Sequence, residues 1–288
     1  MPYGRGRNQK RGVRLPVRWC GPAPVRIPVG YVGGMLVSLL SLALLPACQP
    51  QGEDTAPVDT GSDCDFSADP CDSGEAWITT CDVYPTIQAA LDAATNGTTV
   101  HVCAGTHLEL LEVGEEHADE HINLDGEGSG TTLVDAAGEG PVLRVGPGVD
   151  LDVMGLTLTG AGAGSSSGVG GALYLAGTDA GSGSVRMVMS DVALVANTAT
   201  EGAGLYAFYA DLRLTQCSVT GNTSDSGPAA VLSDSSLQSA QSNWGEGADE
   251  NVAALAQGDV GYPDGALYTY GSNASFTCSA DTMLCVDD

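Results

Sequence analysis

Lysine is nearly missing: Lys10 is the only one. Of ten basic residues, seven precede residue 48: Arg5, Arg7, Lys10, Arg11, Arg14, Arg18 and Arg26. All 36 acids follow Cys48 and face only Arg144, Arg186 and Arg213, so residues 48–288 carry a formal charge of −33. Phosphate contacts are made by Lys and Arg, and their scarcity excludes a nucleic-acid partner. Polyanions are repelled unless a cation bridges them. Large aromatics are few as well, with three Phe and three Trp against 40 Gly. That balance excludes a thick layered core and suits many tight corners around a narrow one.

One long apolar run is present, VGYVGGMLVSLLSLALLPAC at residues 29–48, behind the basic and acid-free leader. A basic segment, an apolar stretch and a small residue before a cut describe a secretory signal. Ala47-Cys48 at its end resembles the lipobox of bacterial lipoproteins. That resemblance implies lipidation of Cys48 and removal of residues 1–47. Gln49, which is not Asp, implies sorting to the outer membrane of a Gram-negative cell.

Export makes disulfides reasonable for Cys64, Cys71, Cys81, Cys103, Cys278 and Cys285. Cys64 with Cys71 and Cys278 with Cys285 form short loops, and Cys81 with Cys103 would staple the segment between them. Seven cysteines follow Cys48, so one stays free, and Cys217 is the expected one. Residues 48–75 are acidic and poor in large apolar side chains, which reads as a tether without a core of its own. Residues 76–288 form the folded domain. Within it, Ile87, Ala90, Leu91 and Ala94 share a helical face. Thr86 is the expected N-cap and Asn96-Gly97 the expected stop. Thr99-Val100-His101-Val102-Cys103 follows as a strand.

The stretch YPTIQAALDAATNGTTVHVCAGTHLE, residues 84–109, resembles the N-terminal cap of pectate-lyase-like right-handed parallel β-helices, with His107 in the place of the usual Tyr. The rest repeats, as a solenoid does. GALYLAG from Gly171, GLYAFYA from Gly204 and AAVLSDS from Ala229 align at steps of 33 and 25 residues, the excess of eight falling in residues 177–184. A second strand recurs at Leu151, Met187, Leu212 and Leu237. GALY, VANTATEGAGLY and VTGNTSDSGPAAV are loosely similar to the repeats of polymorphic outer-membrane proteins. Both resemblances imply one fold: an all-β, single-stranded right-handed parallel β-helix of about five to six rungs with a short capping helix.

Aligning Gly160, Asn197 and Asn222 stacks side chains in columns. Leu151, Met187, Leu212 and Leu237 point inward, as do Leu158, Leu194 and Val219, and Leu156, Val192 and Cys217. Alternation then turns Asp150, Arg186 and Asp211 outward on successive rungs about 4.8 Å apart, an arrangement in which the guanidinium bridges both carboxylates. Asn197 and Asn222 continue a ladder of stacked turn amides.

Catalytic signals are thin. His117-Ala118-Asp119-Glu120-His121 fits the H-x-x-E-H zinc pattern. That pattern needs both His on one helix turn, and His121-Ile122-Asn123-Leu124-Asp125 alternates as a strand. The two imidazoles, with Glu115 and Glu116 nearby, are expected to hold metal only adventitiously. A polysaccharide lyase of the β-helix family would need acidic Ca²⁺ ligands and a Lys or Arg base on one face. The only cations on face strands are Arg186 and Arg213. A hydrolase would need converging carboxylates, for which Asp150, Asp152, Asp191 and Asp211 are the candidates. No cofactor is expected, Ca²⁺ being the one ion that a lyase-like face would take. Tyr174, Tyr206, Phe208 and Tyr209 recur by repeat position, and packing is the simpler reading of them. The expected protein is a lipid-anchored, extracytoplasmic binding module for polysaccharide or envelope proteins. Lyase or hydrolase activity through the outward Asp residues is the alternative.

Overall fold

The computed structural model describes Cys64 and residues 69–72, 74–162, 168–178, 181–253 and 258–288. The chain divides into two compact units, residues 1–55 and 56–288, and all described residues belong to the second. The expected signal and the expected lipidation site, Cys48, lie outside the described residues. Among those residues no helix is long and apolar enough to cross a membrane.

Short strands separated by Gly, Asn and Asp corners cannot bury a face alone, so they stack coil on coil. In the first sheet Thr99–Val102, His121–Gly126, Asp150–Met154, Val185–Ser190, Ala210–Thr215 and Ser236–Ser242 run parallel. Gly105–Leu108, Thr132–Asp135, Thr157–Thr159, Ala193–Val195 and Ser218–Thr220 form the second. Leu111–Val113, Leu143–Val145, Leu173–Ala176, Leu205–Phe208, Ala230–Ser233 and Val260–Gly261 form the third. A fourth strip joins Thr198–Ala199, Thr223–Ser224 and Val252–Ala253. The chain visits the sheets in turn and returns one strand further along, which makes a right-handed parallel β-helix of about six coils.

Alternation drives one residue in two into the core. Ile122, Leu151, Met187, Leu212 and Leu237 are register partners and are all buried. Leu158, Leu194 and Val219 make a second buried column, and Leu156, Val192 and Cys217 are buried beside them. Truncating one such Leu to Ala typically costs about 2–5 kcal/mol.

Two expected alignments shift by one residue. Leu173 pairs with Leu205, a step of 32 rather than 33, so the insertion across residues 177–184 is seven residues long. Matching Gly171 to Gly204 would have put Tyr206 beside Leu173 and turned it inward, and one-residue slips flip every side chain. Likewise Thr159 pairs with Val195 and Val195 with Thr220. Gly160 therefore stacks on Ala196 and Gly221, not on Asn197. These three share a left-handed corner, with φ of 70°, 57° and 63°. Ala161 is the residue next to Asn197.

Both ends of the core are covered. Helix α1 (Ile87–Asp92) buries Ile87, Ala90 and Leu91 over the first coil. Thr86 Oγ1 accepts from Ala89 N at 3.1 Å, and the Glu109 carboxylate accepts from Ile87 N and Gln88 N at 2.9 and 3.0 Å. The helix stops at Asp92, before the expected Asn96-Gly97, because Ala94 N turns back to Leu91 O. At the far end Ala274–Ser279 and Leu284–Asp287 add antiparallel strands to the first sheet. Trp244 and Phe276 plug the core there, with Tyr270 stacked on Phe276 at 3.6 Å.

Three disulfides fix these caps: Cys64–Cys81, Cys71–Cys103 and Cys278–Cys285. The two N-terminal pairs replace the expected Cys64–Cys71 and Cys81–Cys103. Ala76–Ile78 pairs antiparallel with both Val83–Tyr84 and Thr99–Val102. That fold-back carries Cys64 to Cys81 and Cys71 to Cys103. Cys217 is free and buried, and burial raises its thiol pKa to about 11.

Candidate functional site

Outward positions of the first sheet form columns. One reads His121, Asp150, Arg186, Asp211, Ser236 and the next Asn123, Asp152, Val188, Arg213, Gln238. The register thus brings Asp150 and Asp152 together on one strand. Arg186 Nη1 donates to Asp150 Oδ2 at 2.9 Å. It does not span both neighbours as expected: Asp211 accepts instead from Ser236 Oγ at 2.5 Å. The stagger of the side chains gives Asp211 a closer donor on the following coil. Because Arg186 is more than half exposed, its pair with Asp150 is worth about 1 kcal/mol or less.

Asp191 does not join them. It lies one residue beyond Ser190, at a corner with φ of 51°. It accepts from Ser129 Oγ at 2.9 Å and pins the neighbouring turn. Five positions separate it from Arg186, or about 16 Å along a strand. Four carboxylates converging on one substrate bond are therefore not what the register produces.

His121 faces Asp150 and Asp152, at 3.4 Å (Nδ1 to Oδ1) and 3.8 Å (Nε2 to Oδ2). His117 is apart from it. It sits in the single turn Glu115–His117, buried, with Nδ1 2.9 Å from Glu120 Oε2. The H-x-x-E-H stretch is thus a turn followed by a strand, and its two imidazoles serve different neighbours. The sequence alone sets His121 beside Glu115 and Glu116. Its partners come from the next coil, 29 and 31 positions on, a distance only the rung step reveals. Nearby, Asp125 and His101 pair at 3.7 Å; burial raises the carboxyl's pKa and lowers the imidazole's.

A second cluster, Glu75, His107 and Glu109, is engaged in structure. His107 is buried between Cys103 O at 2.8 Å and Glu75 Oε2 at 3.1 Å, while Glu109 caps α1. Burial, then the nearby Glu75, raise the Glu109 pKa against the two backbone donors that lower it.

The third sheet presents a different face. Glu112, Arg144, Tyr174, Tyr206, Val231 and Gly261 stack outward in register. The Arg144 guanidinium lies 4.9 Å from the Tyr174 ring centre, and Tyr174 stacks on Tyr206 at 5.9 Å. These rings are partly exposed and belong to no core. Phe208 and Tyr209 meet edge to face at 4.6 Å, Phe208 exposed and Tyr209 at a left-handed corner. Beyond Tyr206 the column shrinks from Tyr to Val to Gly. Beside Val231 lies a cavity of about 310 Å³ lined by Glu201, Pro228, Val231, Tyr262, Pro263 and Leu267. Burial, then Glu201 and Tyr174, raise the Tyr206 phenol's pKa.

A pectin methylesterase in complex with a hexasaccharide matches at 12% identity and a TM-score of 0.33, over 72% of this chain and 82% of that one. At that distance it lends no residue role. No family model matches this chain, and no curated protein does.

Proposed function

We propose that this chain is a non-catalytic binding module, held outside the cytoplasm by a lipid on Cys48, whose third-sheet face contacts neutral glycans. The observation that supports it is the Arg144–Tyr174–Tyr206 column ending in the 310 Å³ notch. A notch with apolar walls and a few polar groups suits a sugar, which offers C–H faces and hydroxyls together. Glu201, which lines the notch, and the Tyr206 phenol on the adjoining column supply the hydrogen-bonding groups. The charge of −33 over residues 48–288 argues for neutral rather than uronate polymers. Three disulfides agree with an oxidising compartment.

A screen of neutral and uronate polysaccharides, with and without Ca²⁺, tests the proposal. Expected are retention of a neutral polymer without new chain ends, and about tenfold weaker retention by Tyr206→Ala. Cleavage of any polymer that vanishes in Asp150→Asn would sink it. The second reading is that of a lyase or hydrolase. What favours it is the grouping of Asp150 and Asp152 with His121 and Arg186 on one face.

A further inference from the structure

Two neighbouring coils bring three donor groups to one spot on the first sheet. His121 and Asp150 are register partners, so their side chains rise about 4.8 Å apart. Asp152 follows Asp150 by two positions and shares its face. One ligand atom from each lies within 4.8 Å of the others. Donors bonded to a single ion at ~2.0–2.2 Å stand about 3–4 Å apart, so small side-chain rotations close the set.

Asp150 sets this group apart from ordinary acidic surface. Arg186 Nη1 occupies Oδ2 and holds the carboxylate in place. Asp150 Oδ1 is buried and accepts no hydrogen bond, since His121 Nδ1 at 3.4 Å is not placed to give one. Buried carboxylate oxygens normally have a donor, and a cation at the centre of the three residues would satisfy this one.

We propose that His121, Asp150 and Asp152 bind one divalent transition-metal ion of the zinc class, solvent completing its coordination. One imidazole nitrogen and two carboxylate oxygens fit zinc and its neighbours. Calcium instead takes six to eight oxygens. Strands on two hydrogen-bonded coils keep the spacing, and Arg186 acts as a positioning residue from a third coil.

Cobalt(II) titration of the intact chain, followed by visible absorption of the bound ion and then zinc competition, tests the site. Expected is one saturable equivalent displaced by zinc, its affinity at least tenfold weaker in both His121→Asn and Asp152→Asn. Asp211→Asn, two coils along the same face, should keep it. Circular dichroism of each variant reports that the coil is intact. Unchanged cobalt binding by folded His121→Asn, an unsaturated response typical of diffuse acidic surface, or tighter binding of Ca²⁺ than of cobalt would each overturn the proposal.

Discussion

Replacing Asn222 with Ala should cost more than its size suggests. Asn222 is fully buried at the corner between the second sheet and the fourth strip. Its Oδ1 accepts from Asn197 N and Asn197 Nδ2 at 3.1 and 3.0 Å. Its Nδ2 donates to Leu194 O at 2.8 Å and Asn251 Oδ1 at 3.1 Å. Ala keeps the backbone and deletes all four bonds. The buried Asn197 N–H loses its acceptor, at about 1–3 kcal/mol, and the other three lost bonds add about 0.5–1.5 kcal/mol each where no substitute exists. Asn197 Nδ2 retains Leu158 O, which limits the total. A loss of about 3 kcal/mol is expected, a large share of a typical 5–15 kcal/mol stability. Urea titration measures it as a lower midpoint at unchanged slope. Hydrogen exchange should quicken first in the flanking coils, because solenoid stability is summed over neighbours. A loss under about 0.5 kcal/mol would refute the view that these amides hold the corner.

Three further outcomes follow from the same geometry. Cys217, with a buried thiol shifted to about 11, should resist alkylation at pH 8 in the native protein and react once denatured; mass spectrometry counts the adducts. Asp259 is buried, and burial raises its pKa against the donors Tyr270 N and Asn251 Nδ2. The folded chain then holds that proton more tightly than the unfolded one. Stability falls as pH rises from the ordinary value of 3.8 to the raised value, then levels, and the difference between wild type and Asp259→Asn, in urea midpoints across that window, should show this slope. Among the disulfides, loss of Cys71–Cys103, spanning 32 residues, should cost about 3.7 kcal/mol and loss of Cys278–Cys285, spanning seven, about 2.4 kcal/mol. Paired Cys→Ala variants compared in urea would contradict this if their order were reversed.

What could be read in advance was periodic. Leu212 and Leu237 stand 25 residues apart because each coil there has the same length, and the inward columns follow from that step and from alternation. Helix α1 was equally local, set by Thr86 and the apolar spacing after it. Reading failed where the chain departs from the period. Residue type pairs Gly171 with Gly204, whereas strand alternation, Leu173 in and Tyr174 out, fixes the register. Asn251 continues the amide ladder after a step of 29 rather than 25, so a fixed period passes over it. The meeting of His121 with Asp150 and Asp152 needs the coil between them. The disulfide partners of Cys64 and Cys71 depend on how residues 76–84 fold back, which no spacing encodes. The notch beside Val231 is walled by Glu201, Pro228, Tyr262, Pro263 and Leu267, residues that no repeat position brings together.

Hydroxyl-radical footprinting with a bound neutral oligosaccharide compares the two faces in one experiment. Tyr174 and Tyr206, partly exposed, report on the third sheet, and Met154, half exposed beside Asp152, reports on the first. Protection of the tyrosines with Met154 unchanged and the sugar recovered intact is the expected result. Protection centred on Met154, with shortened sugar products, would contradict a binding role for the third-sheet face.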